Sequence, residues 1–412
     1  MTYAEAVEYL YSLQKFGARL GLDTTWQLAA MAGNPQERLR FIHVAGTNGK
    51  GSTCAMLEAI YRAAGYKVGL FTSPHLISFA ERIQINRKLI PEAEVARLAN
   101  DVRRDIEAIG SATLFEATTI MALRWFEENR VDIVIWETGL GGRLDSTNIV
   151  TPLASVITNI ALDHEKWLGN TVAEIAREKA GIIKAGVPVI AGVENEEASR
   201  VIQEVADAIG AEVIRASPAT DDFALSLNGQ HQRKNAAVAL AVAKRLRDAL
   251  PVNDQTMEAA LRGVQWAGRF DVRGKFILDG AHNPDGARAL RLALEQKFPG
   301  AQFVFIVGIL ADKDIGAMAR EIAGVASRIL TVAVHSERAA DAALLAEVFR
   351  AANPLASVEA CISIGDALAK SQDEPRVVIT GSLHFIGEAM QLLGLETGQG
   401  NERGLNDWTR KS

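Results

Sequence analysis

Between Phe41 and Thr53 an apolar run, Phe41-Ile42-His43-Val44-Ala45, passes into Gly46-Thr47-Asn48-Gly49-Lys50-Gly51-Ser52 and then into the apolar-rich stretch 54–64. That order reads as a strand, a tight turn and a helix start, and it commits the chain to a layered α/β domain. Glycines let backbone N–H groups close around phosphate oxygens, while the new helix directs its positive end at them. Lys50 can add a point charge toward β/γ-phosphates, and Ser52 or Thr53 can face a phosphate-bound Mg²⁺. The spacing is G-x-x-G-K-G-S, with Gly51 between lysine and hydroxyl, rather than the common G-x-x-x-x-G-K-[ST]. A plain glycine turn beside a surface lysine would not require strand, turn and helix signals to coincide.

The pattern around this turn extends the α/β reading. The segment 3–33 reads as helices, with Ala6, Leu10, Leu13 and Phe16 on one apolar face. Runs at 67–72, 131–136, 154–157 and 187–191 read as strands, giving an N-terminal P-loop domain with a largely parallel sheet. Ligands in such sheets bind beyond the carboxyl ends of the strands, where Gly46, Glu137 and Asn159 fall. The helical pattern stops at the glycine-bracketed segment 268–274, expected to be a linker. Strand-like runs then resume at 275–278, 303–307, 327–334 and 376–380. The expected division is 1–267 for the P-loop domain, 275–395 for a smaller C-terminal Rossmann-like α/β domain, and 396–412 for a polar, frayed tail. At 412 residues, two cores are the natural arrangement. No G-x-G-x-x-G follows the first strand of the second domain, so a dinucleotide is not indicated.

Charge and cysteine content narrow the partners. Lys and Arg total 44 against 50 Asp and Glu, so an anionic ligand must be held by a local site, and a nucleic-acid scaffold is disfavoured. Cys54 and Cys361 sit in apolar surroundings and read as buried free thiols. The N-terminus lacks a basic start and an apolar core, and no run reaches a membrane span. The expectation is a cytoplasmic protein without a membrane or nucleic-acid partner.

Several polar residues admit two readings. Glu137, at a strand end before a glycine-rich turn, suits Mg²⁺ or a solvated loop. Asp163-His164 follows a strand and suits a ligand or a turn. Thr113 and Glu116 have capping spacing, with Phe115 between them. Asn235 stands where a helix begins and could cap it. Lys179 by itself reads as a solvated helix lysine pairing with Glu178 or Glu174.

The phosphate loop resembles that of the Mur ligase superfamily, and within it the chain resembles folylpolyglutamate synthase/dihydrofolate synthase. The resemblance continues in TSPHL at 72–76, ETGLGGRLDSTN at 137–148, LDH at 162–164 and EKAGI at 178–182. It extends through His231-Gln232 with Asn235, GRF at 268–270 and DGAHNP at 279–284. It implies that ATP is held by Thr47, Asn48, Gly49, Lys50, Gly51, Ser52, Asn235, Arg269 and Asp279. It implies two Mg²⁺ sites formed by Ser73, Glu137, His164 and Lys179, with Lys179 carbamylated. An ammonium beside Mg²⁺ is repelled, and the neutral amine can take up CO₂ to become an anionic oxygen donor.

The same resemblance places Thr113, Phe115, Glu116, Leu144, Asp145 and Ser146 on the pterin-bearing substrate, and His282 and Ser382 near incoming glutamate. Lys50, Lys179, His164 and Glu137 would carry the chemistry, His75 staying structural. The implied reaction is ATP-dependent joining of L-glutamate to dihydropteroate or a folyl-glutamate through an acyl phosphate, by a monomer. One rival lies within the superfamily and two belong to other classes. A peptidoglycan amino-acid ligase would need a UDP-sugar domain before the P-loop, and 45 residues precede Gly46. A P-loop NTPase acting as a switch, or a nucleotide sensor, would not need the Glu137, His164 and Lys179 cluster.

Overall fold

The computed structural model describes residues 1–16, 21–216 and 224–395; the expected tail, 396–412, lies outside the described residues. The first sheet comprises β1 Phe41–Ala45, β2 Val68–Phe71, β3 Ile83–Ile85, β4 Lys88–Leu89, β5 Ile133–Glu137, β6 Ala154–Ile157, β7 Val189–Ala191 and β8 Val213–Arg215. The second comprises β9 Asp271–Arg273, β10 Phe276–Asp279, β11 Phe303–Val307, β12 Ala326–Thr331, β13 Ser357–Ala360 and β14 Val377–Thr380.

The first sheet has the order β4-β3-β2-β5-β1-β6-β7-β8. β1 lies parallel between β5 and β6, and only β2, β3 and β4 pair antiparallel. Every residue of β1 and β5 is buried, as expected of strands covered on both faces. One face carries the helix Lys50–Ala63 with Gln230–Arg245 and Asp254–Gly263. The other carries Tyr3–Ser12, Glu92–Ile109 and Leu114–Glu128, into which Ala6, Leu10 and Leu13 pack. Because β1, β5 and β6 run in parallel, the loops after them open at one end.

The second sheet has the order β13-β12-β11-β14-β10-β9. Its two faces follow from alternation along β11: Phe303, Phe305 and Val307 join one apolar cluster, Val304 and Ile306 the other. The helix Pro284–Lys297 belongs to the first cluster and Leu383–Leu392 to the second.

Three expectations need correction. Asp271–Arg273, within the expected linker 268–274, is an antiparallel edge strand of the second sheet, its backbone groups finding partners on β10. The strand expected at 327–334 ends at Thr331. Asn235 does not begin its helix, which starts at Gln230 from Gly229, so its amide is free of the capping role.

Candidate active site

The phosphate loop is held from below by the segment after β6. Thr47 N–H donates to Asn159 O (2.9 Å), Asn48 N–H to Asn159 Oδ1 (2.8 Å) and Thr158 Oγ1 to Asn48 O (2.7 Å). At Gly46 a Cβ would stand 1.9 Å from Thr158 Oγ1, so only glycine permits this approach. Gly49, at φ 82°, starts the helix Lys50–Ala63 and leaves its N-terminus without a side-chain cap. A Cβ there would meet Asn235 Oδ1 at 2.4 Å, which puts Asn235 directly against the loop. The first helical N–H groups are thus open to an anion.

Two lysines converge on one acceptor. Lys50 Nζ lies 3.0 Å from Gly46 O and 3.3 Å from Thr47 O; Lys179 Nζ lies 2.9 Å from the same Gly46 carbonyl. Lys179 is only 4% exposed, which rules out a solvated helix lysine, and its neighbour Glu178 pairs with Arg143 at 2.8 Å instead. Burial, reinforced by the Lys50 charge, lowers the Lys179 pKa to about 7, with Asp163 and Asp145 opposing. Its neutral amine is therefore well populated at ordinary pH.

Glu137 ends β5 and is buried; its Oε2 accepts the Ser73 N–H at 2.9 Å. Burial raises its pKa, and Lys50, the Ser73 N–H and Arg269 act against that rise. A buried carboxylate beside the phosphate loop, bonded to the backbone of half-buried Ser73, offers oxygen to a hard cation. His164 stands at φ 52°, with Nε2 3.9 Å from Asp163 Oδ2. Burial lowers its pKa against the pull of Asp163, leaving a neutral imidazole.

Asp163 is the hub that joins the two sheets; the sequence reading named it only as the neighbour of His164, with no role of its own. Lys313 Nζ donates to its Oδ1 at 2.5 Å and Asn283 Nδ2 to its Oδ2 at 3.0 Å, with His282 Nε2 at 3.5 Å. Burial alone would raise its pKa, but His282, His164 and Lys313 overcome this and hold the carboxyl well below the usual range. Asn48 also reaches across: its Nδ2 donates to Asp285 Oδ2 at 2.9 Å, and it exchanges amide hydrogen bonds with Asn283 at 3.0 and 3.2 Å. Asn159 Nδ2 donates to the same Asp285 oxygen at 2.9 Å. Lys313, Asp285 and Asn159 carried no local signal beyond a strand-end position for Asn159.

Asp279, expected on the nucleotide, and His282 and Ser382, expected near incoming glutamate, all follow or end strands of the second sheet. Asp279 is buried, its carboxylate accepting the Phe270 and Ala281 N–H groups; burial raises its pKa while His231 and Arg269 oppose. His282 Nδ1 lies 2.8 Å from Gly280 O. Ser382 is buried and starts the helix Leu383–Leu392 without capping it, so its hydroxyl is not spent there.

The expected pterin contacts behave differently. Thr113 and Glu116 form a capping box, each accepting the other's N–H. Asp145 Oδ2 accepts the N–H groups of Gly139 and Leu140, and Oδ1 those of Thr147 N–H and Oγ1–H. Both carboxylates are turned onto their own loops. The Phe115 ring is half-buried, and a Cβ on Gly139 would lie 2.6 Å from it. Leu144 is half-buried and Ser146 buried beside them. His75 is structural: Arg82 Nε donates to its Nδ1 at 2.9 Å, so its Nε2–H faces Tyr11 Oη at 3.3 Å. A cavity of about 200 Å³ adjoins the loop, touching Gly51, Ser73, Glu137 and Arg269.

Residues 44–222 match the Mur ligase middle domain and residues 268–383 the Mur ligase glutamate ligase domain. A dihydrofolate synthase/folylpolyglutamate synthase of Bacillus subtilis is 37% identical, the match covering 95% of this chain and 99% of the relative. The structure of E. coli FolC in complex with DHPP and ADP is similar at TM-score 0.86 and 33% identity, covering 96% of this chain and 98% of that one. The bifunctional folylpolyglutamate synthase/dihydrofolate synthase of Yersinia pestis, complexed with AMPPNP and Mn ion, gives TM-score 0.84 at 32% identity over 96% and 98%. With a crevice at the carboxyl ends of parallel strands, a lysine-lined phosphate loop and a second sheet closing on it, this chain belongs to the dihydrofolate synthase/folylpolyglutamate synthase family of Mur ligases.

Proposed function

We infer that the cleft carries out ATP-dependent joining of L-glutamate to the carboxylate of a folate-type acceptor, through an acyl phosphate. The convergence of Lys50 and Lys179 on the Gly46 carbonyl, in a loop bonded to both sheets, carries the reading. A carboxylate is a poor acyl donor to an amine. Attack of the acceptor carboxylate on the γ-phosphate gives ADP and an acyl phosphate, whose phosphate then leaves as the glutamate amine attacks the acyl carbon.

The chain's part is positioning and charge stabilisation. The open N–H groups at the start of the Lys50 helix, with Lys50 itself, bind and orient the phosphates. Asn235, Arg269 and Asp279 hold the nucleoside side, so that ATP touches both sheets and excludes water from the acyl phosphate. His282 and Ser382 orient the incoming glutamate. Phe115 and the loop shaped by Asp145 offer a flat, partly apolar wall to a pterin ring.

The donor set of Ser73, Glu137, His164 and Lys179 fits divalent metal, because a buried carboxylate of raised pKa and a neutral imidazole both gain from a cation. Two Mg²⁺ ions held there would supply charge neutralisation for the transferring phosphoryl group. A neutral, buried Lys179 amine fits carbamylation, which would add an anionic oxygen to that set. Among the described residues no helix is long and apolar enough to cross a membrane. The family resemblance is the ground on which we take the enzyme to be a cytoplasmic monomer.

The test offers Mg-ATP and L-glutamate with 7,8-dihydropteroate or tetrahydrofolate, following ADP and product mass. Glutamylated product with at least one acceptor is expected. ATP hydrolysis indifferent to both acceptors would replace the ligase reading with an NTPase. Intact mass in bicarbonate should show one added CO₂ on the wild type, absent in Lys179→Ala.

A further inference from the structure

The cavity beside the phosphate loop holds an arginine whose backbone and surroundings call for an explanation. Arg87 lies in the turn between β3 and β4 at φ 64°, the left-handed region that strongly favours glycine. An arginine kept in such a conformation points to a use for its side chain. Its guanidinium lies 4.9 Å from the centre of the Trp266 ring, and Nη2 donates to Gln265 O at 3.2 Å. Its Nη1 is buried and has no hydrogen-bond partner. Glu58, which acts on Arg87 electrostatically, is engaged by Arg62 at 2.7 Å.

Trp266 does not serve as a stacking platform for a ring. Arg87 covers it, and Gly51 lies so close that a Cβ there would come within 3.0 Å of its Nε1. The two carboxylates in the cavity wall are partly or wholly committed. Glu81 accepts the N–H groups of Leu76, Ile77 and Ser78, and Glu137 that of Ser73. The uncommitted capacity is therefore cationic, from Arg87, whose Nη1 has no partner. At about 200 Å³ the cavity suits one amino-acid unit rather than a whole folate.

Resting on the ligase reading above, we propose that Arg87 is a specificity residue which binds the spectator α-carboxylate of an acceptor already bearing a glutamyl unit. Such an acceptor carries two terminal carboxylates, of which the γ-carboxylate reacts; dihydropteroate carries only the reacting one. The same cavity touches Gly51, Ser73 and Glu137, so a glutamyl unit seated there presents its second carboxylate to the phosphate loop. Incoming L-glutamate is a less suitable occupant, because neither His282 nor Ser382 lines this cavity, whereas Arg87 from the first sheet's edge does. Arg87 thereby makes the site one for chain extension as well as for first glutamylation.

The experiment measures kcat and KM with Mg-ATP, L-glutamate and either tetrahydropteroyl-monoglutamate or dihydropteroate, for the wild type, Arg87→Gly and Arg87→Lys. Glycine suits the positive φ, so the guanidinium is removed without straining the turn, and thermal melting checks the fold. Arg87→Gly should raise KM for the glutamylated acceptor at least about tenfold relative to that for dihydropteroate, as expected for a lost charged hydrogen bond. Arg87→Lys should recover part of the difference. An unchanged ratio overturns the proposal, as does an equal rise in KM for L-glutamate with both acceptors, or a wild type that uses dihydropteroate alone. Absence of product with either acceptor would instead remove the ligase reading itself.

Discussion

The turns at 46–53 and 113–116 are built from similar materials and do opposite things. Each leads into a long helix on the first sheet and each carries a hydroxyl residue. At Thr113 the side chain and Glu116 cap the helix start reciprocally, which commits one oxygen of each to the fold. At Gly49 there is no side chain to do this, and the two nearest amines, Lys50 and Lys179, are bound to a carbonyl and leave the N–H groups open. The difference teaches that a site is marked less by its polar residues than by which of their hydrogen bonds remain unspent.

That contrast can be broken at either turn. The largest effect is expected at the open one: Lys50→Ala should lower kcat by about 10²–10³-fold with the fold intact by circular dichroism, as for other preorganised charge donors. Near-normal turnover would show that the loop does not meet the transferring phosphate. The second concerns protonation. Lys179 is protonated in the unfolded chain up to its ordinary pKa of 10.5 but in the fold only below about 7. Unfolding thus takes up a proton between those values, so metal-free wild type should gain stability as pH rises from 7 to 9. The slope should be up to about 1.4 kcal/mol per pH unit, and Lys179→Met should lack it in parallel urea titrations.

At the closed turns, effects should fall on stability. Asp145→Asn, which disturbs four accepted bonds in a buried loop, should cost about 1–3 kcal/mol in denaturant unfolding. Thr113→Ala should cost about 1 kcal/mol as a lost cap. A raised acceptor KM with unmoved stability would reverse the reading and make Thr113 a ligand contact.

The phosphate loop was legible because its chemistry is local: glycine, lysine and hydroxyl within a few residues, after an apolar strand. Glu137 was legible as a strand end, and the capping box as a Thr-x-x-Glu spacing. What resisted reading was chemistry assembled from distance. Asp163 meets Lys313 and Asn48 meets Asp285 only because two sheets are brought face to face, and no periodicity records such a pairing. The burial of Lys179 was equally hidden, since its helix looks amphipathic and its partner carbonyl lies at Gly46. Arg87 was invisible for another reason: a positive φ leaves no mark when the residue there is not glycine or asparagine.

The amide pair between Asn48 and Asn283 ties the phosphate cradle to the second sheet. Whatever parts the sheets must therefore disturb the cradle, and whatever fills the cradle stiffens the clasp; the two free energies are reciprocal. Asn48 and Asp163, through neutral amides and one buried ion pair, are thus the points at which occupancy of the cradle and the seating of the second sheet act on each other.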